Sequence, residues 1–69
     1  MNLGFIEVHS NSKHLFINVN NICYVEDSNE HGCTIVTNTE SMSIITVEES
    51  YGTVIAKISD LLWGNKVHL

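Results

Sequence analysis

The spacing of apolar residues changes near residue 46, from the alternation typical of β-strands to the period of an α-helix. After this point, apolar side chains recur at helical spacing along one stripe: Val47, Tyr51, Val54, Ile55, Ile58, Leu61 and Leu62. The stripe covers an arc of roughly 120°, which is the width of a helix surface that faces a core. The sequence therefore predicts a β-rich first part followed by one helix over about 47–63.

The part of the chain before residue 47 has the composition and punctuation of a series of short strands. Valine and isoleucine total 15 of the 69 residues, and proline is absent, a composition that favours strands. Turn-forming residues divide this part into five runs. We expect strands at about 5–9, 14–19, 22–27, 33–37 and 42–46. The predicted fold class is α+β, a five-stranded antiparallel meander, flat or rolled into a half-barrel, with the C-terminal helix packed on it.

The ends of the predicted helix also carry signals. Thr46-x-x-Glu49 matches a capping box, which would start the helix near residue 47. Glu48 and Glu49 would complement the positive end of the helix dipole. Gly64 lies where a glycine commonly ends a helix.

Apolar residues lie on both faces of the predicted strands, although one helix can cover only one face. The second run alternates Leu15, Ile17 and Val19 on one side with Phe16 on the other. The uncovered face is therefore closed by curling of the sheet, covered by another molecule, or left partly exposed.

The predicted helix carries a second strip beside its core stripe, made of small residues and a tryptophan. Gly52, Ala56 and Ser59 would let another backbone approach closely, and Trp63 could anchor a partner. Either the strip contacts a partner, or Gly52 lies against the chain's own sheet and Trp63 covers the end of the core. We take the candidate contact surface to comprise Phe5, Phe16, Gly52, Ala56 and Trp63.

The charge balance disfavours nucleic acids and anionic membranes as partners. The chain has eight acidic residues and three lysines but no arginine, a formal net charge of −5. Binding to phosphate backbones or anionic lipids draws on lysine and arginine. We therefore expect the partner to be another protein or a second copy of the chain, with no nucleic acid and no membrane insertion.

The cysteines and the N-terminal residues indicate the compartment. Pairing around the 28–31 turn would place Cys33 opposite about Glu26 and Cys23 opposite about Val36, too far apart for a disulfide. The first residues, Met-Asn-Leu-Gly-Phe-Ile-Glu, lack the basic and apolar segments of a signal peptide. We expect reduced thiols and a cytoplasmic location.

The sequence offers no catalytic motif and no complete set of metal ligands. It has no G-x-S-x-G elbow and no glycine-rich phosphate loop, and a chain of this length has little room for a deep pocket. His9 and His14 could face each other across the first turn, and His31 and Cys33 share a strand face, but neither pair reaches three ligands. We expect no enzymatic activity, no small-molecule substrate and no cofactor. A metal-binding module using His9, His14, His31 or Cys33 is an alternative.

Several segments together resemble a known family. They are Phe16-Ile-Asn-Val-Asn-Asn-Ile22, Tyr24-Val-Glu26, Thr34-Ile-Val-Thr37, Val47-Glu-Glu-Ser50 and Val54-Ile-Ala-Lys-Ile58. Over about residues 5–62 this pattern resembles the small bacterial FlbD-type proteins. The resemblance implies a small α+β fold without catalytic residues and a role associated with the bacterial flagellum and motor output.

A second, shorter resemblance implies a different function. Ile22-Cys-Tyr-Val-Glu26 together with Thr34–Thr37 is similar to the first part of LytTR-type DNA-binding domains. That similarity implies a nucleic-acid-binding regulator fragment as an alternative. The interpretation that the residues favour is that the chain forms a single domain over 1–69. This domain would act as a non-enzymatic, self-associating protein-interaction module.

Overall fold

A computed structural model describes residues 4–28, 32–39 and 42–63 and confirms the α+β class. Five antiparallel strands precede a C-terminal helix, in the order that the sequence predicts. The strands are β1 (Phe5–Ser10), β2 (Lys13–Asn18), β3 (Ile22–Asp27), β4 (Cys33–Thr37) and β5 (Ser43–Val47), and the helix is α1 (Tyr51–Trp63).

The strands form two sheets, so the prediction of one five-stranded meander, flat or rolled into a half-barrel, is wrong. β1 pairs with β2 in one sheet, and β3, β4 and β5 form the other in that order. The reason lies between β2 and β3, where Val19–Asn21 forms a 3₁₀ turn instead of extending the second strand. The Asn18 side chain accepts a hydrogen bond from Asn20 N, at 2.9 Å. This side-chain cap stabilises the turn, which separates β2 from β3 along the chain.

The turn between β1 and β2 fixes which residues face the core. Asn11 and Ser12 have φ values of 53° and 66°, as a two-residue type I′ hairpin turn requires. The turn brings His9 directly opposite His14. Because side chains alternate along a strand, one face of this hairpin buries Ile6 and Val8, and the opposite face points away from the core.

A bulge in β3 allows its apolar residues to face the same side. The pairing shifts between Ile22, opposite Thr37, and Tyr24, opposite Val36, which leaves Cys23 as the extra residue. Ile22 and Val25 both pack against the core, although strict alternation would place them on opposite faces.

The core joins both sheets to the helix. Its buried members are Ile6, Val8, Ile17, Cys33, Ile35, Val47 and Val54. Cys33 is buried opposite Asp27, one position from the predicted partner, and Cys23 is exposed; both thiols are free. Burial raises the pKa of the Cys33 thiol, and the nearby charges of Asp27 and Glu49 raise it further.

The helix begins four residues later than predicted, because Ser50 caps it instead of Thr46. Ser50 Oγ accepts a hydrogen bond from Thr53 N at 3.2 Å, and its carbonyl oxygen accepts one from Val54 N at 3.0 Å. Thr46 belongs to β5, so the predicted capping box is not formed. The predicted C-terminal glycine, Gly64, lies outside the described residues.

The helix packs on the sheets through part of the predicted stripe. Val54 is fully buried, and Ile58 and Leu61 pack against the core. Tyr51 and Leu62 lie at the margin of the stripe, 38% and 39% exposed. The predicted packing of a C-terminal helix on the strands is therefore confirmed.

Candidate functional site

The five predicted contact residues lie on two different surfaces. Phe5 and Phe16 lie on the outer face of the β1–β2 hairpin, 55% and 66% exposed. Gly52, Ala56 and Trp63 are exposed on α1, which packs on the inner side of that hairpin. A Cβ atom at Gly52 would have no neighbour within 4 Å, so the alternative that Gly52 lies against its own sheet is wrong.

The outer face of the three-stranded sheet carries an apolar row that crosses all three strands. Tyr24 lies opposite Val36, and Val36 lies opposite Ile44. Val36 is buried at the centre, while Tyr24 and Ile44 on either side are 56% and 71% exposed. We call Tyr24, Val36 and Ile44 the outer row. Met42, two residues before Ile44, is also exposed.

The residues around the outer row are mostly uncharged. The next row of the same face contains Glu26, Thr34 and Thr46, which are paired with one another across the strands. Only Glu26, on the outermost strand, carries a charge. The centre of this sheet face is therefore neutral in a chain whose net charge is −5.

An open cleft of about 580 Å³ adjoins one end of the outer row. Ser10 and Asn11 of the hairpin line one side, and the segment 44–48 lines the other. Ser10 Oγ donates a hydrogen bond to the Thr46 carbonyl oxygen at 2.7 Å. Ile44 belongs both to the outer row and to the lining of the cleft.

Two glutamates after β5 hold the tip of the hairpin. Glu48 Oε2 accepts a hydrogen bond from Ser12 N at 2.8 Å, and Glu48 N donates one to the His9 carbonyl oxygen at 2.7 Å. Glu49 Oε1 accepts from His9 N at 2.9 Å. Both glutamates were predicted to lie at the start of the helix, whereas in the structure they connect the segment after β5 to the β1–β2 hairpin.

The side chains of His9 and Glu49 form an ion pair at this junction. Their Nδ1 and Oε2 atoms lie 2.6 Å apart, and since a carboxylate only accepts hydrogen bonds, the imidazole nitrogen donates. The hydrogen bond to Glu49 raises the pKa of His9 above its usual 6.5, against burial, with further support from the charges of Glu49, Glu7 and Glu48. Burial raises the pKa of Glu49, but its hydrogen bonds with His9 outweigh burial and hold it below 4.5.

Replacing Glu49 by glutamine is expected to remove a pH-dependent part of the stability. Folding lowers the pKa of Glu49, so its contribution is present above about pH 4.5 and is lost as the pH falls through the folded value. Folding raises the pKa of His9, so its contribution is complete below about pH 6.5 and is lost as the pH rises through the folded value. The free energy of unfolding, measured by urea denaturation, should therefore be larger for the wild type than for Glu49→Gln, and the difference should be greatest between about pH 4.5 and 6.5.

The matched control for this measurement is Glu26→Gln. It removes a carboxylate that is exposed on β3 and not among the groups that raise the pKa of His9. The difference in stability between the wild type and Glu26→Gln is expected to show no maximum in that pH range. A stability difference for Glu49→Gln that stays constant with pH would contradict the coupling.

His9, which contacts Glu49, lies beside His14 on the outer face of the hairpin. The rings of His9 and His14 have their centroids 4.4 Å apart, with an angle of 60° between their planes. His14 Nδ1 lies 2.6 Å from Glu7 Oε2. From the sequence, His9 and His14 could face each other across the turn, and they do so in the structure. The contacts of these histidines with Glu7 and Glu49 were not predicted. His31, the other predicted histidine candidate, lies outside the described residues.

Comparisons with protein-family models, with curated proteins and with solved structures gave no match to this chain. Among residues 4–28, 32–39 and 42–63, no helix combines the length and the apolar character that a membrane crossing requires.

Proposed function

We propose that this chain is a cytoplasmic, non-enzymatic protein-interaction module that self-associates through the outer row. The observation that carries the proposal is the direct register of Tyr24, Val36 and Ile44 across three strands. Exposed apolar residues scattered singly are ordinary, whereas a contiguous apolar patch marks an interaction site.

A second copy of the chain is the occupant that fits this face best. In a two-fold symmetric contact each copy offers the same patch, so the patch must suit itself. The outer row meets that requirement because it is apolar and uncharged, so a contact through it places no like charges directly against each other. Two such faces can stack at about 10 Å, as the two sheets of a β-sandwich do.

The size of the molecule agrees with such a contact. The chain exposes 4946 Å², and a standard interface covers about 800 Å² on each partner. That area is about a sixth of the surface. Lysine, the basic residue that a nucleic-acid alternative would use, occurs at two separate described positions, Lys13 on β2 and Lys57 on α1.

The experiment measures solution mass by analytical ultracentrifugation over a range of concentrations. The wild type should form a concentration-dependent dimer. Ile44→Glu should raise the dimer dissociation constant at least about thirtyfold, the cost of losing a residue worth about 2 kcal/mol and placing two charges at the interface. Because Ile44 is 71% exposed, this change should leave the monomer folded, as circular dichroism can verify.

The matched control is Phe16→Glu, which places the same charge at an equally exposed strand position of the hairpin. It should leave the dimer intact. A monomeric wild type at every concentration would refute self-association. Loss of the dimer in Phe16→Glu or Trp63→Ala, but not in Ile44→Glu, would move the contact to the hairpin or the helix.

A further inference from the structure

Three potential metal ligands converge on the outer face of the β1–β2 hairpin. Glu7 and His9 lie two residues apart on β1 and so point to the same side, and His14 lies opposite His9 on β2. Each of the three offers one ligand atom, and these three atoms all lie within 4.8 Å of one another.

The chemistry of this set suits a transition-metal ion. Two imidazole nitrogens and one carboxylate oxygen bind Zn²⁺ at about 2.0–2.2 Å, and water completes the coordination where the site is open. Imidazole also favours Zn²⁺, Cu²⁺ and Ni²⁺ over Ca²⁺ and Mg²⁺, which prefer oxygen ligands. The partial exposure of the three side chains leaves positions for water.

The surrounding structure holds two of these ligands in place. Glu49 accepts the Nδ1 proton of His9, which leaves Nε2 of that ring available to a cation. A carboxylate in this position is the usual outer partner of a metal-binding histidine, since it fixes the tautomer and the ring orientation. The type I′ turn fixes the register of His9 and His14 and brings the rings together.

We propose that Glu7, His9 and His14 form a binding site for a divalent transition-metal ion such as Zn²⁺, with Glu49 positioning His9. This site lies on the hairpin and not on the outer row. It goes beyond the proposed function and does not depend on it.

The first test is calorimetric titration of the full chain with Zn²⁺. One ion per chain is expected to bind, and His14→Gln should weaken this binding at least about tenfold. His14 is exposed and its side chain contacts Glu7 and His9 on its own hairpin, so the variant should fold as the wild type does. Glu26→Gln, which removes an exposed carboxylate from β3 of the other sheet, should bind Zn²⁺ as the wild type does.

The Zn²⁺ titrations can either support or overturn the proposed site. No saturable binding by the wild type, equal weakening by His14→Gln and Glu26→Gln, or one ion shared by two chains would each overturn the site. Saturable binding with one ion per chain, weakened at least about tenfold by His14→Gln and unchanged in the control variant, would support it.

A second test concerns the positioning role of Glu49. In nitrogen NMR spectra of the histidine rings, Zn²⁺ should shift Nε2 of His9 while its Nδ1 stays protonated. Glu49→Gln should weaken Zn²⁺ binding about tenfold, whereas Glu48→Gln, which affects the neighbouring contact with Ser12, should not. Zn²⁺ bound at Nδ1 of His9, or equal effects of the two glutamine variants, would exclude the positioning role.

Discussion

Replacing Gly32 by alanine is expected to lower the free energy of unfolding by about 2–5 kcal/mol. Gly32 has a φ of +80°, a conformation that side-chain-bearing residues adopt at a cost. A Cβ atom there would lie 2.0 Å from the Val47 carbonyl oxygen. Because both atoms belong to or adjoin the backbone, no side-chain rotation relieves the clash, and β4 and β5 would have to separate where Cys33 pairs with Val47.

The matched control for Gly32 is the same substitution at Gly52. An added Cβ there meets nothing within 4 Å, and the residue lies in a helix. Gly52→Ala should therefore stabilise the chain by about 0.5–1 kcal/mol. Urea denaturation of both variants measures the contrast. If Gly32→Ala lowers the free energy of unfolding by less than about 1 kcal/mol, the close approach of Gly32 to the Val47 backbone would be contradicted.

The Gly52 variant also bears on function. Gly52 was included in the candidate contact surface because small residues on a helix let another backbone approach closely. If Gly52→Ala leaves the association constant unchanged, the strip of small residues on α1 is not the contact surface. Close association through this strip would instead be weakened by the added methyl group.

Local patterns predicted the elements of this fold but not the choice between competing helix starts. Thr46-x-x-Glu49 and Ser50-x-x-Thr53 are both plausible caps when only nearby residues are considered. The choice is made by distant groups, because Val47 pairs with Cys33 in β5 and Glu49 binds His9, 40 residues away. Tertiary contacts thus override a local signal that is worth about 1 kcal/mol.

The difference between local patterns and contacts of distant residues also explains which parts of the candidate sites could be predicted from the sequence. Alternation along β1 places Glu7 on the face of His9, so this third ligand was within reach of the sequence. The outer row was not, because its alignment depends on the register of β3 and β4, in which Asp27 and not Glu26 lies opposite Cys33, so that Tyr24 lies opposite Val36. The separation of the strands into two sheets likewise depends on the 3₁₀ turn after β2 and not on the apolar pattern of either strand.

The second large effect is expected at Ile35, where alanine should lower the free energy of unfolding by about 2–5 kcal/mol. Ile35 is fully buried in the central strand of the three-stranded sheet, opposite Val25 and Ile45. Its truncation leaves a cavity in a core that, in a chain of 69 residues, has few other members. Urea denaturation should show a lower midpoint with an unchanged slope.

Ile44→Ala is the matched control, since it removes the same atoms from the exposed face of the neighbouring strand. It should change the stability of the monomer by no more than about 0.5 kcal/mol, provided that the chain is diluted below its association range, because association itself adds apparent stability. The same variant should weaken the dimer, whereas Ile35→Ala should lower stability without changing the contact face. Equal losses of stability in the two variants at low concentration would contradict the assignment of one isoleucine to the core and the other to the interface.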